Sequence, residues 1–279
     1  MRAGIFAKTF EGTTPDVVLA AARAAGYASV QYNFACSGLG ALPESIPDHA
    51  VTAIRQASER TGVAVAAISA TYNMIHPDIV TREAGRRSFA AIAAVAHRAG
   101  SNLLTVCTGS RDAADQWRDH PDNQGAEAWQ EMIAEFGHLL AIAERHDIFI
   151  GVEPELANVI NSAAQARRLI DTMANERIRI VLDPANLFEH EDAKTRDRII
   201  DEAIDLLKDR IAIAHAKDRN ADGSFATAGK GVIDYPRYVA ALKRAGFDGD
   251  VITHGLSAAE APGVAAFLAP LIALEGHGA

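Results

Sequence analysis

The feature that most constrains this chain is an alternation. Eight short runs rich in β-branched and apolar residues occur at positions 3–6, 28–32, 63–69, 103–107, 148–153, 178–183, 211–215 and 250–254. Each precedes a longer, alanine-rich segment with apolar residues at helical spacing, at 15–25, 50–61, 82–99, 126–146, 163–173, 193–208, 236–245 and 258–274. Helix stops are legible in Ala25-Gly26, Thr61-Gly62, Ala99-Gly100 and Ala245-Gly246, because glycine adopts the left-handed conformation that ends a helix.

Strict alternation of strand and helix requires parallel strands joined by helical crossovers. Eight such units in 279 residues suit a closed barrel better than an open sheet. The expected fold is therefore α/β, a single (β/α)8 TIM barrel. A doubly wound sheet is the alternative, but the first strand is not followed by G-x-G-x-x-G, the usual dinucleotide-binding fingerprint. No linker, low-complexity segment or shift in composition marks a boundary, so residues 1–279 are expected to form one domain.

Composition narrows the partners. A net charge of -9, with no run of Lys or Arg longer than a pair, argues against a grip on a phosphate backbone, and nucleic acid is not expected. No apolar stretch approaches the roughly 20 residues that cross a bilayer, and Met1 leads straight into a strand-like Ala3-Gly4-Ile5-Phe6. The chain is accordingly expected to be cytoplasmic, with no membrane partner; a homo-oligomer is left open. Cys36 and Cys107 lack C-x-x-C spacing and are expected to be packing thiols at strand ends.

In a barrel, function is built where strands end and βα loops begin, so polar residues that terminate apolar strands are the ones to collect. Glu153, Asp183, His215 and His254 end the fifth to eighth strands, each about one βα unit from the next. Neighbouring strand ends converge, which would bring two carboxylates and two imidazoles to one divalent cation: Mn²⁺, Mg²⁺, Co²⁺ or Zn²⁺. A single such residue is as readily a helix cap or a satisfied polar group above the core. Four in register are harder to dismiss, since uncompensated charge beside a barrel core costs several kcal/mol.

The segments Gly151-Val152-Glu153-Pro154-Glu155, Val181-Leu182-Asp183-Pro184-Ala185-Asn186, Ala214-His215-Ala216-Lys217-Asp218 and Gly229-Lys230-Gly231-Val232-Ile233-Asp234-Tyr235 resemble the signature segments of the xylose isomerase-like TIM-barrel superfamily. This is the group of sugar and sugar phosphate isomerases and epimerases, inosose dehydratases and the endonuclease IV type of apurinic nuclease. The resemblance spans nearly the whole chain, and H-x-K-D followed by G-x-G-x-x-D is its most specific part. It implies that Glu153, Asp183 and His215 are metal ligands. The fourth family ligand is a Glu, where this sequence has His254 in Thr253-His254-Gly255-Leu256. In the epimerases the glutamates of strands five and eight also move protons, so the departure implies a metal site with an altered proton-transfer scheme. Imidazole serves either as ligand or as base, and His254 is carried in both roles.

Substrate contacts are expected around these ligands. Lys217, two residues beyond His215, shares its face if the strand continues, and could polarise a carbonyl; a salt bridge to Asp183 or Glu155 is the plainer alternative. Glu155 stands in the same relation to Glu153 and is the preferred alternative base, so that Glu153 or Glu155 would take the substrate proton. Asn186 suits a sugar hydroxyl, or else a turn. His76 and Arg111 follow the third and fourth strands and could bind hydroxyls, carboxylate or phosphate; an Arg before Asp is as readily a structural ion pair. The long irregular stretch at 108–124 is a candidate lid, with Trp117 placed to cover a sugar face. Gly229 and Gly231 are expected to shape a tight turn, not to cradle phosphate, because no P-loop Lys-Ser/Thr follows.

The leading expectation is a metal-dependent isomerase or epimerase acting on a keto or aldo sugar, sugar phosphate or related polyol through an enediolate. A dehydratase or eliminase of a keto-sugar or inosose, using the same carbanion, is the runner-up. A non-catalytic sugar-binding barrel is the third reading. The nuclease branch fits poorly: Asn186 stands where a His is expected, no D-x-H follows His215, and the chain is acidic.

Overall fold

Eight parallel strands close on themselves in the order β1-β8-β7-β6-β5-β4-β3-β2. They are β1 (Arg2–Phe6), β2 (Ser29–Tyr32), β3 (Ala64–Ser69), β4 (Leu103–Val106), β5 (Phe149–Val152), β6 (Ile178–Leu182), β7 (Ile211–Ala216) and β8 (Asp250–Thr253). The computed structural model describes residues 1–273. Eight helices cover the outside: α1 (Pro15–Ala24), α2 (Asp48–Thr61), α3 (Ile79–Ala99), α4 (Ala126–His146), α5 (Ala163–Met173), α6 (Ala193–Leu207), α7 (Tyr235–Arg244) and α8 (Ala261–Ala273). The expected end of the eighth helix at residue 274 and the tail of the expected domain, 274–279, lie outside the described residues.

The strands read as apolar runs because they are covered on both faces, by helices outside and by each other's side chains inside. β2, β4 and β8 are buried along their whole length. Helix ends follow local chemistry. The side chains of Asp78, Ser162, Asp192 and Asp234 accept hydrogen bonds from the first free backbone N–H groups of α3, α5, α6 and α7. Asp78 moves the start of α3 three residues ahead of the expected position 82. Gly62 and Gly100, at φ +69° and +103°, close α2 and α3 in the left-handed region.

Inside the barrel, Ala67, Leu103, Val181, Ile213 and Ile252 form an apolar cluster of their own. Side chains alternate along a strand, so the residue two positions further on faces the same way. For β6, β7 and β8 that residue is Asp183, His215 and His254, and for β4 it is Thr105. The polar site is thus the next tier above the barrel's packed interior, at the end where strands give way to βα loops. A two-stranded antiparallel ribbon, Asp218–Arg219 with Phe225–Ala226, extends the chain beyond β7 over this end.

Candidate active site and metal centre

Glu153, Asp183, His215 and His254 come together at the barrel mouth, each offering one donor atom, and these atoms all lie within 4.8 Å of one another. His215 Nδ1 stands 3.3 Å from Glu153 Oε1 and 3.6 Å from Asp183 Oδ2. His254 Nε2 is 2.9 Å from the same Asp183 oxygen, and the two imidazole rings meet edge to face at 4.6 Å. Asp183 Oδ1 accepts from the Ala185 N–H at 2.9 Å, which caps the short turn Pro184–Asn186 and locks the carboxylate.

A surrounding shell holds these groups in place. Asn186 Nδ2 donates to Glu153 Oε1 at 2.9 Å, and the Cys107 thiol faces Glu153 Oε2 at 3.9 Å. Across the mouth, the Gln31 side chain on β2 lies 2.9 Å from His215 Nε2 and donates its own Nε2 to Thr105 Oγ1 at 3.1 Å. Gln31 and Thr105 are not among the residues singled out from the sequence. The signal for Gln31 was available, since Ser29, Gln31 and Asn33 are polar at every second position through an otherwise buried strand end.

The electrostatics follow from burial and charge. Burial alone would lower the His215 imidazole, but the adjacent Glu153 charge and the Asp183 carboxylate outweigh it and hold it up at about 9. Burial would raise Glu153 and Asp183, yet the adjacent His215 imidazole for both, and the hydrogen bond from His254 for the second, hold them below the usual carboxylate range. Burial pulls His254 down, so it is the neutral imidazole at neutral pH.

Two observations fit this cluster to a divalent cation. The donors are two carboxylates and two imidazoles, an oxygen and nitrogen set suited to first-row divalent ions. His215 Nδ1 is moreover a buried polar atom with no well-directed hydrogen-bond partner, aimed between two carboxylates. Buried polar atoms of this kind call for an occupant.

A cavity of about 460 Å³ opens above the cluster, lined in part by Glu153, His215, His254, Asn186, Glu155 and Lys217. No described side chain hydrogen-bonds the Glu155 carboxylate, and burial, followed by the charge of Glu153, pushes it up to about 7. The Lys217 side chain is only 8% exposed, and its ammonium sits 3.2 Å from the centre of the Phe225 ring on the ribbon. Among the described residues it pairs with neither Asp183 nor Glu155, so the plainer salt-bridge alternative is not what forms. Asn186 is buried, and its Oδ1 has no partner.

Two expected contacts lie elsewhere. Arg111 pairs with Glu131 on α4 at 3.1 Å, the structural alternative for an Arg before Asp. His76 is held between two loops, its Nε2 3.0 Å from the Ala113 carbonyl of the stretch after β4 and its Nδ1 accepting from the Asp78 N–H of its own loop. Neither lines the cavity. Trp117, half exposed, does. The stretch around it is pinned: Asn123, fully buried, accepts from the Arg111 N–H and donates to Ala157 O, and Asn158 bridges Gly109 N and Gln116 O. Those bonds tie the stretch to the loop after β5, with Gln116 and Trp117 lining the cavity.

The glycine-rich motif after β7 has a structural explanation. Asp218, fully buried, accepts from the N–H groups of Gly229 and Gly231 through Oδ2 and of Ile233 and Arg219 through Oδ1. A Cβ on Gly231 would lie 2.1 Å from the Arg219 carbonyl oxygen, so only glycine fits. The motif therefore ties the loop to Asp218 and binds no phosphate through these groups.

The model of the xylose isomerase-like TIM barrel matches residues 19–266, and the chain belongs to that family. Solved structures agree in fold. An L-ribulose 3-epimerase is 16% identical, with 97% of this chain and 94% of that chain aligned at a TM-score of 0.75. The IolI protein with a bound zinc atom is 18% identical, with 98% of each chain covered and a TM-score of 0.70. A fusion of a xylose isomerase-like TIM barrel with 4-hydroxyphenylpyruvate dioxygenase is 17% identical over 91% of this chain, which spans only 38% of that protein, at a TM-score of 0.69. No curated protein matches. No described helix is long and apolar enough to cross a membrane.

Proposed function

We propose that this chain is a metal-dependent isomerase or epimerase of a keto or aldo sugar, working through an enediolate. The observation that carries the reading is the convergence of Glu153, Asp183, His215 and His254 directly beneath a cavity that also presents Glu155 and Lys217. Structures of an L-ribulose 3-epimerase and a zinc-containing IolI protein on the same fold support the class of chemistry.

When bound by those four residues, a divalent cation would act as a Lewis acid toward a sugar carbonyl and its neighbouring hydroxyl, making the C–H between them more acidic. Glu155 is the group placed to take that proton, because its carboxylate borders the cavity and is committed to no other side chain. Its pKa near 7 suits a base that must both accept and return a proton at neutral pH. Lys217 presents an ammonium to the oxygen on which charge develops, with Phe225 holding it in a desolvated position. Asn186 lines the cavity beside the sugar hydroxyls, and its amide nitrogen orients Glu153.

One observation favours a second reading. His254 is hydrogen-bonded to Asp183, and Glu153 is engaged by Asn186, Cys107 and His215, which leaves Glu155 and Lys217 as the groups free to move protons. A base and an acid of this kind suit β-elimination from a keto-sugar or inosose as well as epimerisation. Proton exchange into deuterated solvent at the substrate carbon, followed with and without chelator over keto sugars and inosose, decides between them. Exchange with retained carbon–oxygen bonds supports the epimerase, loss of water supports the lyase, and turnover unaffected by a chelator that strips the metal overturns both.

A further inference from the structure

We infer that Gln31 is a positioning residue for the metal ligand His215, selecting the tautomer in which Nδ1 faces the cation. The inference rests on the proposed metal site and deepens it. A neutral imidazole carries one proton on two nitrogens, and whichever nitrogen keeps it cannot bind a metal. His215 Nδ1 is the nitrogen between the two carboxylates, 3.3 Å from Glu153 Oε1 and 3.6 Å from Asp183 Oδ2, and it is buried without a directed hydrogen bond. The opposite nitrogen, Nε2, lies 2.9 Å from Gln31 Oε1 in a contact that is buried on both sides. An amide oxygen only accepts, so the proton of a metal-loaded His215 belongs on Nε2 and the lone pair of Nδ1 is left for the ion.

Gln31 is itself oriented. Its amide nitrogen donates to Thr105 Oγ1 at 3.1 Å, and its oxygen end lies toward the imidazole. The register between β2 and β3 shifts between Val30 and Gln31, an irregularity that falls at the residue reaching across the mouth. Three strands on different sides of the barrel, β4, β2 and β7, thereby cooperate to fix one proton. Gln31 is only 6% exposed and Thr105 1%, so water does not readily replace either contact.

The test compares Gln31→Leu, which removes the acceptor at similar size, with Gln31→Glu, which restores one, beside Asp183→Ala. Zinc and manganese affinities are measured by titration calorimetry, and long-range ¹H–¹⁵N spectra of zinc-loaded, histidine-labelled protein read the tautomer directly. The expected result is a 10- to 100-fold loss of affinity in Gln31→Leu, affinity at or above that of the parent in Gln31→Glu, and a protonated Nε2 on His215 in the parent. Circular dichroism on each variant separates a folding failure, and the tautomer read on the unmutated protein does not depend on any variant folding. A His215 that carries its proton on Nδ1 overturns the inference, as does a Gln31→Leu variant that binds zinc as tightly as the parent. If the parent binds no metal, or Asp183→Ala binds it equally well, the metal site itself fails, and that outcome is distinct from failure at Gln31 alone.

Discussion

Asn186 donates its side-chain N–H to Glu153 Oε1 at 2.9 Å while its own Oδ1 stays buried without a partner. One side chain thus joins the cation-binding cluster to the floor of the cavity.

Asn186→Ala releases the Glu153 carboxylate and removes the free oxygen. The expected outcome is a 10- to 100-fold weaker hold on zinc or manganese by titration calorimetry, since partners of ligands typically contribute that much. A raised KM should accompany it once the metal is saturating. Unchanged metal affinity and unchanged KM would leave Asn186 with a purely local role in its turn.

Glu155→Gln separates base from ligand. Glu155 borders the cavity but lies outside the four-residue cluster, so the variant is expected to keep its metal content while kcat falls by about 10²- to 10⁴-fold, the usual contribution of a general base. Elemental analysis and steady-state kinetics on the same sample check both halves. Loss of metal together with loss of activity would instead place Glu155 among the ligands.

Metal binding must compete with a proton. Without a cation His215 is held up at about 9 by Glu153 and Asp183, whereas both carboxylates are already ionised at neutral pH. Below pH 9 a divalent ion must therefore displace one proton from His215, and its association constant should rise about tenfold per pH unit, levelling off above that point. Calorimetry at pH 7.5 in buffers of different ionisation enthalpy should report about one proton released per ion. The sign for the metal-free protein is opposite. A raised folded-state pKa adds stability that is complete below the ordinary histidine value of 6.5 and is lost as pH rises through 9, so thermal melts of the metal-free form should fall across that window.

Asp218 supports the loop that carries the ribbon, and it accepts from four backbone N–H groups. Asp218→Ala leaves these donors buried without partners and is expected to cost about 3 kcal/mol or more of folding stability. Urea unfolding monitored by circular dichroism reads this. A variant as stable as the parent would show that the loop finds other partners.

The architecture was legible because its cause is periodic: eight strands buried on both faces read as apolar runs, and each needs a helix to return the chain. The four cluster residues were legible for the same reason, as polar breaks at the ends of those runs. The contacts that join them to their polar neighbours were not. Gln31 sits at the far side of the barrel from His215, 184 residues away in sequence, and only closure of β1 on β8 brings the two together. Arg111 and His76 were placed at the right end of the barrel by their positions after strands, but direction is set by local partners. Glu131, a turn into α4, captures the Arg111 guanidinium, and the Ala113 carbonyl captures the His76 ring. Phe225 escaped notice because its role depends on a ribbon only two residues wide on each strand, too short to leave a pattern.

The central claim is that one divalent cation is shared by Glu153, Asp183, His215 and His254. Elemental analysis of the purified protein beside Asp183→Ala, each equilibrated with manganese or zinc and then freed of excess ion, tests it most directly. The account predicts close to one ion per chain in the parent and almost none in the variant, with both remaining folded. A parent that retains no ion, or a variant that retains the same amount, would contradict it.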